Sequence, residues 1–264
     1  MKGFRNNLLN ILCKRYPKKT REELMILILT GNIYVNSHKE KNPKVLINKT
    51  SKIDLVENNA CQTFVSRGGY KLLEALKDFK IEVKNKICVD VGSSTGGFTD
   101  CLLQCGANFV YSVDVGTNQL SYKLRIDPRV KVLERTNIFD VTEFKIVPNF
   151  AVVDVSFRSS ISICANLIDK LSDNFIIVLI KPQFEVKSLN LDIKNFNGVV
   201  NGDYLKTILQ SVIEKFYKNK LQVKNILKLK TKGKKGNQEF MFLVVRSSVL
   251  NIVSSMQLLN NIEF

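Results

Sequence analysis

Lys71, Asp154, Lys181 and Glu239 are the residues of this chain best placed to do chemistry. Asp154 lies near the end of the apolar run Ala151–Val155, and Lys181 directly follows the run Phe175–Ile180. Glu239 opens another such run, Glu239–Val245. A charge at the end of a buried strand is seldom core, because burying it unpaired is costly. Lys71 stands in the first turn of an amphipathic stretch, where a cation opposes the helix dipole. Lysines among carboxylates form a coupled set that can hold, orient or move a proton.

A second constellation is Val89-Asp90-Val91-Gly92-Ser93-Ser94-Thr95-Gly96-Gly97-Phe98-Thr99. The apolar run Ile87–Val91 enters it and an amphipathic run, Phe98–Leu103, leaves it, which reads as buried strand, glycine turn and helix. Glycines let the backbone approach a ligand closely, and the helix N-terminus offers free N–H groups. The spacing is not the dinucleotide G-x-G-x-x-G, because an acid precedes the first glycine by two residues and the Gly96-Gly97 pair follows it. An acid beside such a turn suits a cationic, phosphate-free ligand such as S-adenosylmethionine. Asp114 follows the next run, Phe109–Val113, where a carboxylate can accept from both ribose hydroxyls of a nucleoside.

The elements that must position these residues alternate. Strands are expected at Ile87–Val91, Phe109–Val113, Val130–Leu133, Ala151–Val155 and Phe175–Ile180. Helices are expected at Phe98–Cys105, Gln119–Arg125, Ile161–Leu171 and Tyr204–Tyr217. This pattern predicts a parallel sheet covered on both faces, with ligands beyond the carboxyl ends of its strands. Two further strands, Val223–Leu229 and Glu239–Val245, suit antiparallel neighbours. If the last runs antiparallel, Glu239 starts at the edge where Asp154 and Lys181 end, and Lys71 can join them from its helix at residues 66–79.

Ahead of this lies a smaller unit, residues 1–60, joined through a connection at 61–65 to a unit that runs to residue 264. Helices are expected at Phe4–Tyr16, ended by Pro17, and after Thr20, with Glu22 and Glu23 in the first turn and Gly31 as the stop. Short strands follow at Ile33–Asn36, Val45–Ile47 and Ile53–Val56. Residues 1–60 hold 12 Lys and Arg against 5 acids, and the whole chain of 264 residues carries a net charge of +16. Such a balance favours a polyanionic partner. No apolar run approaches the roughly 20 residues that span a bilayer, and the N-terminus lacks a signal core, so a cytoplasmic protein is expected. The six cysteines include no C-x-x-C pair, and His38 is the only histidine. They read as reduced core residues, with no metal site.

The motifs Asp90-Val-Gly-Ser-Ser-Thr-Gly-Gly-Phe98, Ser66-Arg-Gly-Gly-Tyr-Lys71, Asp154-Val-Ser-Phe157, Lys181-Pro-Gln-Phe-Glu185 and Lys232-Gly-Lys-Lys-Gly-Asn-Gln-Glu239 resemble those of the TlyA family. The resemblance implies an S-four-like RNA-binding domain followed by an FtsJ-like methyltransferase domain. The second would have a Rossmann-like sheet, mostly parallel with the last strand antiparallel. It implies methylation of cytidine ribose 2′-hydroxyls in ribosomal RNA, with S-adenosylmethionine as cofactor and ribosomal RNA or ribosomal subunits as partners. The family's Lys-Asp-Lys-Glu tetrad falls on Lys71, Asp154, Lys181 and Glu239. The chain departs from the family at Arg5-Asn6-Asn7, at Arg158-Ser159-Ser160 and at Asn201-Gly202.

On this reading, Asp90 is a cofactor-binding residue, and Gly92, Ser93, Gly96, Gly97 and Phe98 lie near the methionine part of the cofactor. Asp114 holds its ribose, Asn137 lies at its adenine, and Asp154 faces the donor methyl. Lys181 acts on the acceptor hydroxyl as a base or as an orienting cation; an ordinary lysine needs about 4–5 kcal/mol to be held neutral at pH 7. Lys14, Arg15, Lys18, Lys19, Arg21 and Arg67 are expected at RNA phosphates. Glu185, Lys187 and Arg158 are expected to be solvated or RNA-facing charges. Two rivals remain, a membrane-active cytolysin and an RNA-binding protein with an inactive methyltransferase domain.

Overall fold

The structure is a computed structural model that describes residues 6–29, 31–48, 51–55, 63–156, 160–188, 198–200, 202–233 and 236–263. The chain divides into two compact units, Met1–Thr63 and Phe64–Phe264.

The first unit holds β1 (Asn6–Asn7), α1 (Leu8–Arg15), α2 (Arg21–Leu29), β2 (Ile33–Val35), β3 (His38–Glu40), β4 (Leu46–Ile47) and β5 (Ile53–Leu55). The Asn7 side chain caps α1 by accepting from the Asn10 N–H at 2.8 Å, so an asparagine that departs from the family pattern starts this helix. The expected start at Phe4 lies outside the described residues. Thr20 and Glu23 form a reciprocal capping box on α2, at 3.2 and 2.7 Å. The helix ends in a Schellman pattern, with Asn32 N–H bonded to Leu27 O and Gly31 N–H to Ile28 O. Two strands were not expected from the sequence, β1, where Asn6–Asn7 pair with Leu46–Ile47 instead of opening the helix, and β3. Val35 pairs with His38 across a two-residue turn, and Asn36 and Ser37 both have positive φ, as a tight hairpin requires. Leu8, Leu12, Leu24, Ile28 and Ile33 form the core of this unit.

The second unit contains α3 (Gly68–Asp78), β6 (Ile87–Val91), α4 (Gly97–Gln104), β7 (Phe109–Val113), α5 (Tyr122–Arg125), β8 (Val130–Leu133), β9 (Phe150–Val153), α6 (Ser160–Leu167), β10 (Phe175–Ile180), α7 (Pro182–Ser188), α8 (Gly202–Lys218), β11 (Leu221–Lys228), β12 (Phe240–Arg246) and α9 (Ile252–Gln257). Its seven strands form one sheet in the order β11-β12-β10-β9-β6-β7-β8. Strands β8, β7, β6, β9 and β10 are parallel, and β12 runs antiparallel between β10 and β11.

Side-chain parity sends alternate residues to opposite faces. Ile176, Val178 and Ile180 pack with Val89, Ala151 and residues of α6 and α8. Ile177 and Leu179 pack with Cys88, Phe150, Val152 and residues of α3 and α4. Both faces are therefore dry, which explains the unbroken apolar runs. Cys88, Cys101 and Cys164 lie in these layers as free thiols, and Cys61 lies outside the described residues.

Some boundaries differ from expectation. Strand β9 stops at Val153, so Asp154 stands just beyond it. The helix expected at Gln119–Arg125 is confined to Tyr122–Arg125, because residues 118–120 direct their N–H groups at Glu134 instead of into a helix. The helix expected to reach Leu171 ends at Leu167 and tightens into a 3-10 turn, Ile168–Lys170. Helices α7 and α9 escaped the reading. Pro182 at the first position of α7 and Asn251 capping α9 were their sequence signals.

Candidate active site

The sheet gathers the charged residues by register. Ile180 pairs with Phe240 in the antiparallel β10–β12 ladder, so Lys181, one residue past β10, and Glu239, one residue before β12, share an edge. Asp154 follows β9, the other neighbour of β10. Lys71 comes from the first turn of α3 and is buried. All four line one cavity of about 410 Å³, together with Ser66, Arg67, Ser156 and Gln183.

They are organised as two ion pairs. Lys71 Nζ donates to Glu239 Oε2 at 2.5 Å, with both side chains more than nine-tenths buried. Lys181 Nζ donates to Asp154 Oδ1 at 2.5 Å and to Ser156 Oγ at 3.4 Å. The first pair is enclosed, whereas the second faces the cavity, with Lys181 13% and Asp154 24% exposed. The dipole opposition expected at Lys71 is thus offset by a buried carboxylate. Gly233 leaves room for that carboxylate, since a Cβ there would overlap Glu239 Oε1.

The glycine turn lines the same cavity. Gly92 has φ +82°, and a Cβ on it would overlap the Asp154 carbonyl oxygen. The turn therefore packs against the residue that carries one of the reactive carboxylates. Gly92, Ser93, Gly97 and Phe98 line the cavity. A second cavity, of about 560 Å³, shares Gly92, Ser94, Asp154 and Ser156 with it and is lined also by Asp114, Gln119 and Asn137. Asp114 accepts from the Ser94 and Gly116 N–H groups, each at 2.7 Å. Asn137 accepts from the Phe139 N–H at 3.3 Å.

Two residues expected at the cofactor lie outside the linings of both cavities. Asp90 lines neither cavity; its Oδ2 accepts from Thr99 N–H at 2.8 Å and Thr99 Oγ1 at 2.6 Å, which fixes the start of α4 beneath the turn. Gly96 also stays outside both cavities, because a Cβ there would overlap Leu124 and Leu120, so its role is close packing of α5. Glu185, expected as a solvated charge, is buried and accepts from Ser160 Oγ at 3.1 Å. Its position on α7 turns it inward. Arg158 and the Lys187 side chain lie outside the described residues.

Asp90 Oδ1 is buried without a hydrogen-bond partner. Burial pushes this carboxyl up to about 7; the Thr99 hydrogen bonds oppose the rise, and repulsion from Asp154 and Asp114 adds to it. A folded-state value above the unfolded one means that folding takes up a proton between about pH 4 and pH 7. The contribution to stability is present below about pH 4 and is lost as the pH rises through about 7. Wild-type unfolding midpoints should therefore fall more between pH 5 and pH 8 than those of Asp90→Asn, read by denaturant titration at each pH. Equal slopes would remove Asp90 as the cause.

Glu134 was missed, although it follows β8 and the strand-end argument applies to it. It accepts from the N–H groups of Asn118, Gln119 and Leu120 at 2.9, 3.1 and 3.3 Å and from Arg125 at 2.7 Å. The Arg125 guanidinium and these N–H groups hold its carboxyl down to about 2. Glu134 thus fixes the loop between β7 and α5, which carries Asp114 and Gln119. Glu134→Ala should raise KM for the ligand of the second cavity roughly tenfold and change kcat much less. Steady-state kinetics at varied S-adenosylmethionine would show the split; a fall in kcat alone would contradict it.

Of the residues expected at RNA phosphates, Arg67 is exposed at the rim of the first cavity. Lys14, Arg15, Lys18, Lys19 and Arg21 all lie in the other unit, from the end of α1 to the start of α2. Arg15 donates to Ile53 O and Arg21 to Asn10 Oδ1, both at 3.0 Å, while Lys14 and Lys18 are exposed.

The residues present fit a cationic nucleoside. A glycine cradle with no room for a Cβ at Gly92, with Asp114 and Asp154 on the walls, suits positive charge and disfavours phosphate. No cluster that could hold a metal exists among the described residues. No helix of the described residues is long and apolar enough to cross a membrane.

Comparison with known proteins agrees with this geometry. A family model described as FtsJ-like methyltransferase matches residues 64–246. The chain is 39% identical over 228 residues to a Brachyspira hyodysenteriae protein named Hemolysin A, covering 84% of this chain and 92% of that one. It is 37% identical over 214 residues to the 23S rRNA (cytidine-2'-O)-methyltransferase TlyA of Campylobacter jejuni, covering 78% of this chain and 79% of that one. A solved structure from Streptococcus thermophilus that carries the hemolysin name superposes with a TM-score of 0.68 at 31% identity, covering 97% of this chain and 95% of that one.

Proposed function

The chain belongs to the FtsJ-like methyltransferases, in the TlyA family, and we propose that it methylates the ribose 2′-hydroxyl of a cytidine in ribosomal RNA. The observation that carries this reading is the pair of ion pairs, Lys71–Glu239 and Lys181–Asp154, in one cavity that the glycine turn also lines. The relative from Campylobacter jejuni is named for this reaction. The net charge of +16 suits an RNA substrate. Work on ribosomal RNA would place the protein in the cytoplasm.

S-adenosylmethionine, the methyl donor of this family, supplies an electrophilic methyl group on a sulfonium. Gly92, Ser93, Gly97 and Phe98 would hold its methionine part, with Asp114, Asn137 and Asp154 around the remainder. Because the methyl is already activated, the protein's task is to align the acceptor and handle one proton. Lys181 and Ser156 position the hydroxyl oxygen. Lys181 Nζ first gives one of its protons to Asp154 along their short hydrogen bond, and the lone pair this frees takes the hydroxyl proton as the new O–C bond forms and the methyl–sulfur bond breaks, leaving a neutral thioether. Asp154, partly exposed, then releases that proton to water. Lys71 and Glu239 form the rigid, mutually neutralised floor of the cavity. The first unit, with Lys14, Arg15, Lys18, Lys19 and Arg21, serves as an RNA-binding domain through phosphate contacts.

Transfer of label from S-adenosylmethionine to purified ribosomal subunits tests the reading. Label on a cytidine of either subunit supports it. Tight cofactor binding with no label on either subunit would contradict ribosomal RNA as substrate. An RNA-binding protein with an inactive domain would bind subunits and transfer nothing. The cytolysin reading gains no support from the helices of the described residues.

A further inference from the structure

Gln183 is a residue of this cavity that the chemistry above leaves unused. It sits on α7, two positions past Lys181, and its side chain lines the cavity with the two ion pairs. Its Oε1 is buried with no hydrogen-bond partner. Buried side-chain oxygens are nearly always bonded, so an orphan beside a reactive lysine calls for a donor from outside the chain. The last torsion of a glutamine is broad, so a small rotation presents the amide to an incoming group.

Two observations say which ligand brings that donor. The glycine turn belongs to β6, and β9 separates β6 from β10, the strand that leads into α7. Gln183 therefore stands on the Lys181 side of the cavity, where the acceptor nucleotide would lie, and away from the cofactor cradle. A volume of about 410 Å³ is also within the range of pockets that enclose a small ligand. Cytosine carries a primary amine beside a ring-nitrogen acceptor. A glutamine amide complements both, its oxygen accepting from the amine and its nitrogen donating to the ring. We infer that Gln183 recognises the base of the acceptor nucleotide, and that its side-chain oxygen accepts from the cytosine amine. This rests on the function proposed above. Uridine reverses the pattern, with a carbonyl where cytidine has that amine and a ring N–H where cytidine has the acceptor, so it pairs only if the amide turns over and moves Oε1 out of the place it holds in the structure. A site that holds the amide in that orientation rejects the analogue.

The test uses the full chain and ribosomal subunits. The methylated cytidine is first mapped with the wild type, and subunits with uridine at that position are then prepared. The wild type should favour cytidine by roughly tenfold to a hundredfold in kcat/KM. Gln183→Leu should bring that ratio close to one, mainly by losing activity on cytidine. Its affinity for S-adenosylmethionine, measured by calorimetry, should be unchanged, which also shows that the variant is folded. An unchanged preference would overturn the inference, and so would a loss of cofactor affinity, which would place Gln183 at the methyl donor instead. If the wild type labels no cytidine, the proposed function fails first and this inference falls with it, an outcome visible before any variant is made.

Discussion

Lys181→Ala is expected to lower methyl transfer by roughly 10²–10⁴-fold, the usual weight of a positioned acid–base group, with little change in cofactor affinity. Lys181 touches Asp154 and Ser156, on the side proposed for the acceptor, whereas the cradle proposed for the cofactor is mainly the glycine turn and the loop after β7. Single-turnover rates and cofactor titration on the same variant separate the two effects. Transfer at the wild-type rate would remove Lys181 from the chemistry. The other lysine is a poorer probe. Lys71 is paired with Glu239 in a buried setting, and removing one partner of a buried pair strands the other at a cost of roughly 3–5 kcal/mol. Loss of activity in Lys71→Ala would then mix catalysis with unfolding.

Gly92→Ala is expected to cost both stability and cofactor binding. A Cβ on Gly92 overlaps the Asp154 carbonyl oxygen at φ +82°, so either the glycine turn or the end of β9 must move. Movement of the turn spoils the cradle, and movement of β9 carries Asp154 away from Lys181. The expected result is a loss of S-adenosylmethionine affinity of at least about a hundredfold, with a lower unfolding midpoint than strain at positive φ alone, about 1–3 kcal/mol, would give. Gly198→Ala supplies the comparison, because Gly198 has φ +90° and, among the described residues, nothing within 4 Å of the added Cβ. It should show the strain without the loss of binding. Equal behaviour of the two variants would refute the close approach as the cause.

The tetrad was legible in the sequence because each member sits at the end of an element. Strand ends are readable from apolar runs, and one antiparallel assumption put Glu239 beside Lys181; the Ile180–Phe240 register bears that assumption out. Pairing was not legible. Nothing in the spacing says that Lys71 meets Glu239 and Lys181 meets Asp154, because that depends on how deeply α3 packs. Type and position reveal the glycine turn but not which of its residues line a cavity; Asp90 is turned toward Thr99 and Gly96 toward Leu120 and Leu124. Glu134 stands at a strand end, which was a signal, but its role was not legible, because apart from Arg125 its partners are backbone N–H groups of an irregular loop, which leave no pattern in residue types. The hairpin at Asn36-Ser37 and the helix opening at Pro182 did leave signals, in a turn pair and a helix-starting proline.

The most direct test of the central claim is where the methyl group lands. Ribosomal subunits labelled from S-adenosylmethionine by the wild type would be stripped of protein and the RNA hydrolysed completely in alkali. Alkaline cleavage needs a free 2′-hydroxyl, so a 2′-O-methylated nucleotide stays joined to its 3′ neighbour. The account predicts that the label appears in an alkali-stable dinucleotide whose first residue is cytidine, and that Lys181→Ala yields none. Label recovered only in mononucleotides would mean that a base is methylated and would contradict a site built to act on a ribose hydroxyl.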